Sequence, residues 1–155
     1  MKTILSVLLA LSAFWGLGCS SLPDSAQKPE LAITAVSLEE ENGGLGFALS
    51  YSVTHRSPEP LPVESLSFEI FVNGRQAVAL TLEEPDGEIP PGIENRYTRF
   101  LPASLLPPVS LASLATPMLP LRIRASAALT VSADEKHSYL NPSASWEGLI
   151  IAQGH

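Results

Sequence analysis

Residues 66–72 alternate along the chain. Leu66, Phe68, Ile70 and Val72 are apolar, and Ser67, Glu69 and Phe71 lie between them. A period of two is that of a half-buried β-strand, whose successive side chains point to opposite faces. Asn73-Gly74 supplies the positive φ angles of a tight hairpin turn, and Val78, Leu80 and Leu82 carry the return strand. Upstream, Phe47, Leu49, Tyr51 and Val53 alternate with Ala48, Ser50, Ser52 and Thr54. Leu31–Leu38 reads as a first strand whose alternation breaks near Ala35-Val36, where a bulge would reconcile the two halves. Ile93–Leu101 reads as a fifth strand with an undecided inner face, since Tyr97 and Phe100 fall on opposite sides. The longest alternation runs through Leu119, Leu121, Ile123, Ala125, Ala127, Leu129 and Val131. Ser145–Ile151, with Trp146, closes the series.

Turn chemistry separates these runs. Glu39-Glu40-Glu41-Asn42-Gly43-Gly44 reads as a charged turn. Pro58, Pro60 and Pro62 forbid helix and central-strand pairing, so His55–Pro62 reads as an extended link crossing between two sheets. Pro85, Asp86-Gly87 and Pro90-Pro91-Gly92 form a further loop, and Asp134-Glu135 another turn. Ala103–Thr116 differs: Val109, Leu111, Leu114 and Ala115 have helical spacing after Pro108, and Pro117 ends the run. The pattern therefore predicts an all-β fold, a seven-stranded antiparallel β-sandwich with one short helix.

Composition changes this picture little. The chain has 155 residues, enough for one domain with a sizeable core, and 45% of them are hydrophobic, which excludes disorder. The formal charge is −7. Residues 1–18 carry only Lys2, so the remainder has eight Lys and Arg against 16 Asp and Glu, a charge of −8. Nucleic acid, which needs clustered cations, is disfavoured as a partner, as is electrostatic docking on an anionic bilayer.

The N-terminus reads as an address. Lys2 precedes an apolar run, Ile4–Leu17, that is short for a transmembrane helix. Gly18 then stands before Cys19, the single cysteine, and Ser20-Ser21 opens a polar stretch. This arrangement resembles a bacterial lipoprotein signal and its lipobox. Gly16 and Leu17 depart from the residues that the pattern prefers. The resemblance implies cleavage after residue 18, palmitate and other acyl chains on Cys19, and a membrane anchor. Ser20 after the cysteine implies the periplasmic face of the outer membrane. The expected organisation is a signal peptide over 1–18, a lipidated cysteine and flexible tether over 19–30, and the sandwich over 31–152.

Within the sandwich the order of pieces resembles a family. Tyr51-Ser52-Val53 is followed by the proline link Ser57–Val63, the strand and turn Leu66–Gly74, Ile89-Pro90-Pro91-Gly92, and Phe100-Leu101-Pro102. This succession is similar to the type 2 late-embryogenesis-abundant (LEA) proteins, or WHy domain, over about Leu31–Ile151. Where that family usually carries Asn before proline, His55-Arg56-Ser57 stands here. The resemblance implies a fibronectin- or immunoglobulin-like sandwich and an association with stress tolerance. It implies no enzyme of defined chemistry.

The residues themselves offer little chemistry. His55, His137 and His155 are dispersed, and Cys19 is committed to the signal, so no metal site and no cofactor are expected. Gly43-Gly44-Leu45-Gly46 has neither a P-loop lysine nor a following helix. No serine sits in a nucleophile elbow, so no catalytic residue is expected. Phe71, outward by alternation, is the candidate for surface binding, ahead of Trp146. The expectation is a non-enzymatic envelope lipoprotein with a stress-protective or binding role. Its alternative is a lipid-holding module in which Ala103–Thr116 forms a flap. The expected partners are the membrane through the anchor, and a lipid or an envelope protein.

Overall fold

The computed structural model describes residues 28–83, 87–92, 94–103, 120–132 and 139–151. Cys19, the tether, the helical expectation over 103–116 from Ser104 onward, and the Asp134-Glu135 turn lie outside them. The described residues form an all-β structure of nine strands: β1 Glu30–Glu41, β2 Gly44–Thr54, β3 Leu61–Val72, β4 Arg75–Glu83, β5 Glu88–Ile89, β6 Asn95–Pro102, β7 Pro120–Ser132, β8 Tyr139–Leu140 and β9 Ser143–Ile151. The count is thus nine rather than seven. The two additions, β5 and β8, are two-residue strands that lack room for a hydrophobic period.

All pairings are antiparallel, in two sheets. The smaller runs β1-β2-β6. The larger runs β4-β3-β7, with β8 and β9 both pairing with β7, and β5 pairing with the start of β3. The link after β2 crosses from the smaller sheet to the larger, as its prolines require. The register of β1 on β2 shifts between Ile33 and Ala35, so the bulge lies where the alternation breaks. Strand β1 also continues through Glu39–Glu41, leaving Asn42-Gly43 as the turn. Charged side chains are tolerated there because β1 is a sheet edge with an exposed side.

Leu66, Phe68, Ile70 and Val72 all point inward and are buried. They meet Leu121, Ile123, Ala125, Ala127 and Leu129 of β7 on the same face, and Phe47, Leu49, Tyr51 and Val53 from the opposite sheet. The Tyr51 and Phe68 rings touch across the layers, 5.7 Å between centroids. Cross-strand register settles the face of β6: Tyr97 lies opposite Tyr51 and Leu101 opposite Phe47. Phe100 therefore points outward. Its ring lies over Gly46, where a Cβ would meet Phe100 Cζ at 2.5 Å and Leu101 O at 2.6 Å. Trp146 does the same to Gly148, whose Cβ would stand 2.6 Å from Trp146 Cζ2. In both places an aromatic ring covers backbone that a glycine leaves bare.

The two ends of the sandwich differ. Glu30 pairs with Thr54, and His55 lies beside Ile89, which pairs with Leu61. The domain therefore begins at the end where β3 starts. Strand β3 has 12 residues, so its far end lies roughly 36 Å away at about 3.3 Å per residue. The Asn73-Gly74 turn, Pro120 and Ile151 all sit at that far end.

Candidate functional site

Two places combine polar chemistry with a defined position. The first is His55, at the junction where the chain leaves β2. Its side chain is 2% exposed. Nε2 lies 3.0 Å from Ile89 O and 2.8 Å from Pro90 O. Both are carbonyl acceptors, so Nε2 carries the proton and donates to them. Nδ1 is then the bare acceptor nitrogen, and it is buried without a hydrogen-bond partner. The junction is fastened further by Gly92 N donating to His55 O at 3.3 Å, and by Asn95 Nδ2 donating to Pro90 O at 3.1 Å. A histidine thus stitches the crossing link to the loop around β5. Among other histidines His137 and His155 fall outside the described residues. Among the described residues no group of three or more His, Cys, Asp or Glu could hold a metal ion.

The second place is the outer face of the larger sheet near the Asn73-Gly74 turn. Asn73 and Gly74 have φ of 48° and 80°, the left-handed pair that a two-residue hairpin requires. The turn is tied sideways to β7: Asn73 N donates to Arg122 O at 2.8 Å, and Arg122 N donates to Asn73 Oδ1 at 3.0 Å. This fixes the start of β7 beside the hairpin and aligns Arg124 opposite Phe71. A register shift in the β3–β4 pairing beside Phe71 places Gln76 opposite it on the other side.

Phe71 is half-buried on the outward face, where alternation places it. The Arg124 guanidinium lies 4.7 Å from the Phe71 ring centroid, a cation–π contact. Glu147 is the strand neighbour of Arg124, yet its carboxylate goes to Arg122. Arg122 Nε donates to Glu147 Oε1 at 2.6 Å, and Nη2 of the same guanidinium lies against that oxygen. These residues line an open groove of about 440 Å³ with Asn73 and Gly74. Further along the same face a second shallow depression of about 340 Å³ is lined mainly by serines and alanines, with Glu69 beside Ser67 and Ser126.

The groove therefore contains one residue that alternation singles out, Phe71, and three that it does not: Arg122, Arg124 and Glu147. Their signal was present as two arginines on the polar side of the long β7 alternation. Which strand they would face was not readable from spacing. Trp146 does not join Phe71; it lies on the inner side of β9 against the core, over Gly148. Cys19 and the flap expectation over Ala103–Thr116 fall outside the described residues beyond Ala103.

Glu94 and Arg96 displace each other's titration. The Arg96 guanidinium, hydrogen-bonded at 2.9 Å and attracting by its charge, holds the Glu94 carboxyl below the usual carboxylate range. Glu94 in turn raises Arg96. The pair is exposed on β6 and its approach, away from the groove.

No protein-family model matches the sequence, and no curated protein matches it. Solved structures do. One is a protein described as late embryogenesis abundant (LEA), At2g46140.1, at TM-score 0.68 and 16% identity, covering 97% of this chain and 86% of that one. Another is AT1g01470 from Arabidopsis thaliana, at TM-score 0.61 and 20% identity, covering 80% and 82%. A third is a protein from Archaeoglobus fulgidus, at TM-score 0.55 and 14% identity, covering 78% and 98%. At these identities the likeness is one of fold: this chain folds as a LEA-like β-sandwich.

Proposed function

We propose that this protein is a non-enzymatic, lipid-anchored protein of the cell envelope whose LEA-type sandwich binds or shields a partner under stress. The observation that carries the reading is the fold likeness to a LEA protein over 97% of the chain, joined to the order of sequence pieces that resembles the type 2 LEA family. The anchor rests on the sequence alone: an apolar run ending at Gly18-Cys19, which acylation of Cys19 would turn into a membrane attachment on the periplasmic face of the outer membrane. Without the two-residue strands, the sheets hold three and four strands, β1-β2-β6 and β4-β3-β7-β9. That division supports a fibronectin-like arrangement.

Two measurements test the reading separately. A labile enzyme dried and rehydrated with the purified full chain should keep more activity than with an equal mass of serum albumin; equal recovery removes the protective role. Cys19→Ala should abolish palmitate labelling and move the protein out of the membrane fraction. Palmitate incorporation that persists in this variant refutes the anchor.

A further inference from the structure

The described residues with large, strongly exposed hydrophobic side chains are Leu149 and Ile151, at 67% and 65% exposure. Both lie on the outward face of β9, Leu149 opposite Arg122 and Ile151 opposite Pro120. They therefore continue the groove of Phe71, Arg124 and Glu147. Arg124 has no carboxylate partner among the described residues, because Arg122 holds Glu147. Its guanidinium is fixed on one face by the Phe71 ring, and its N–H fork is left for something else.

We propose that this corner is a docking site for an extended, acidic peptide segment of a protein partner. Arg124 would take a carboxylate, and Leu149 and Ile151 would take apolar side chains. The inference deepens the binding role proposed above and rests on it, though not on the lipid anchor.

Three features select a peptide over other occupants. Side chains on one face of a strand repeat at roughly 6.6–6.8 Å, so the row Glu147, Leu149, Ile151 has the period of an extended peptide's own alternate side chains. The groove is open and shallow, whereas small-molecule sites enclose most of their ligand. An anionic bilayer is disfavoured because electrostatic docking on one needs clustered cations, whereas among the described residues this corner offers one uncommitted arginine, Arg124, enough for a single carboxylate. Arginine is also among the residues enriched at the hot spots of protein interfaces. The corner lies at the end of the sandwich opposite Glu30, where the domain begins. A tethered domain would thus present it away from the attachment.

The test uses the full chain and a fluorescein-labelled ten-residue peptide in which Glu and Leu alternate, followed by fluorescence anisotropy at low salt. Binding is expected, with a loss of about tenfold in Arg124→Glu and of several-fold in Leu149→Ser. Arg96→Glu, on the smaller sheet, should bind as the parent does. Circular dichroism confirms that each variant is folded. A peptide alternating Gln and Leu should bind at least about tenfold more weakly. Four results overturn the proposal: no binding, equal binding of the Gln peptide, unchanged binding in Arg124→Glu, or an equal loss in Arg96→Glu. Phosphatidylglycerol vesicles that bind and compete the peptide away through Arg124 would replace it with a lipid surface. Failure of palmitate labelling or of the drying assay would leave these results unmoved, so the two readings fail separately.

Discussion

The His55 junction makes the sharpest prediction about what holds the domain together. Nε2 donates to Ile89 O at 3.0 Å and Pro90 O at 2.8 Å, while buried Nδ1 has no partner. The two nitrogens can be replaced one at a time. Glutamine places an amide N–H near the position of Nε2; asparagine places one nearer that of Nδ1. His55→Leu fills much of the space but removes the donor. Leaving a buried carbonyl without its donor costs ~1–3 kcal/mol. His55→Ala adds a cavity, and together these come to about 3 kcal/mol. With a urea m-value of ~1.5 kcal/mol/M, the midpoint should fall by ~2 M in His55→Ala and by ~1 M in His55→Leu. His55→Gln should recover most of the His55→Leu loss, and His55→Asn should recover none. Urea unfolding followed by circular dichroism reads all four. If asparagine rescues as well as glutamine, the assignment of the proton to Nε2 is wrong. If alanine costs less than ~1 kcal/mol, the junction is not holding the link to the β5 loop.

Other positions make narrower predictions. Gly148→Val should lower the melting temperature, because its Cβ meets the Trp146 ring at 2.6 Å and overpacking costs ~1–3 kcal/mol; a melting temperature equal to that of the parent would mean that Trp146 does not lie there. Gly46→Ala should likewise be destabilising, since both Phe100 Cζ at 2.5 Å and the Leu101 carbonyl at 2.6 Å stand in the way; Gly46→Ala with Phe100→Ala should remain destabilised, because the carbonyl cannot step aside. Asn73→Ala should be destabilising by ~1–2 kcal/mol, losing both a residue suited to positive φ and the acceptor for Arg122 N, which urea unfolding would register. Glu94 should titrate below an ordinary glutamate when followed by NMR, and return towards it in Arg96→Ala. A lowered folded-state value means that the pair's contribution is present above the ordinary carboxylate range and is lost as pH falls through the lowered one. Because both side chains are exposed, solvent screens the pair and this contribution is small; a large loss of global stability on acidification that Arg96→Ala removes would contradict the structure.

Much of the architecture was legible because a strand advertises itself by a period of two. The inward set of Leu66, Phe68, Ile70 and Val72, the bulge near Ala35, the Asn73-Gly74 turn and the crossing proline link all follow from residue order alone. Two-residue strands have no period to read, so β5 and β8 were invisible. The inner face of β6 was undecidable from Tyr97 and Phe100, and only pairing with Tyr51 and Phe47 chose it. The triple glutamate looked like a turn because charge is an ambiguous signal at a sheet edge.

The candidate site shows the same division. Alternation by itself put Phe71 on the outward face, since the side-chain period of a strand is a local property of the backbone. Sequence could also place Arg122 and Arg124 on the polar side of their strand. It could not say that Phe71 and Arg124 would stand opposite each other, because they are 53 positions apart and their meeting depends on sheet order and register. Nor could it show that His55, at the start of a proline-rich link, is the buried donor that fastens that link. Local periodicity fixed which side each residue takes. Only the closing of two sheets over one core decided which residues share that side.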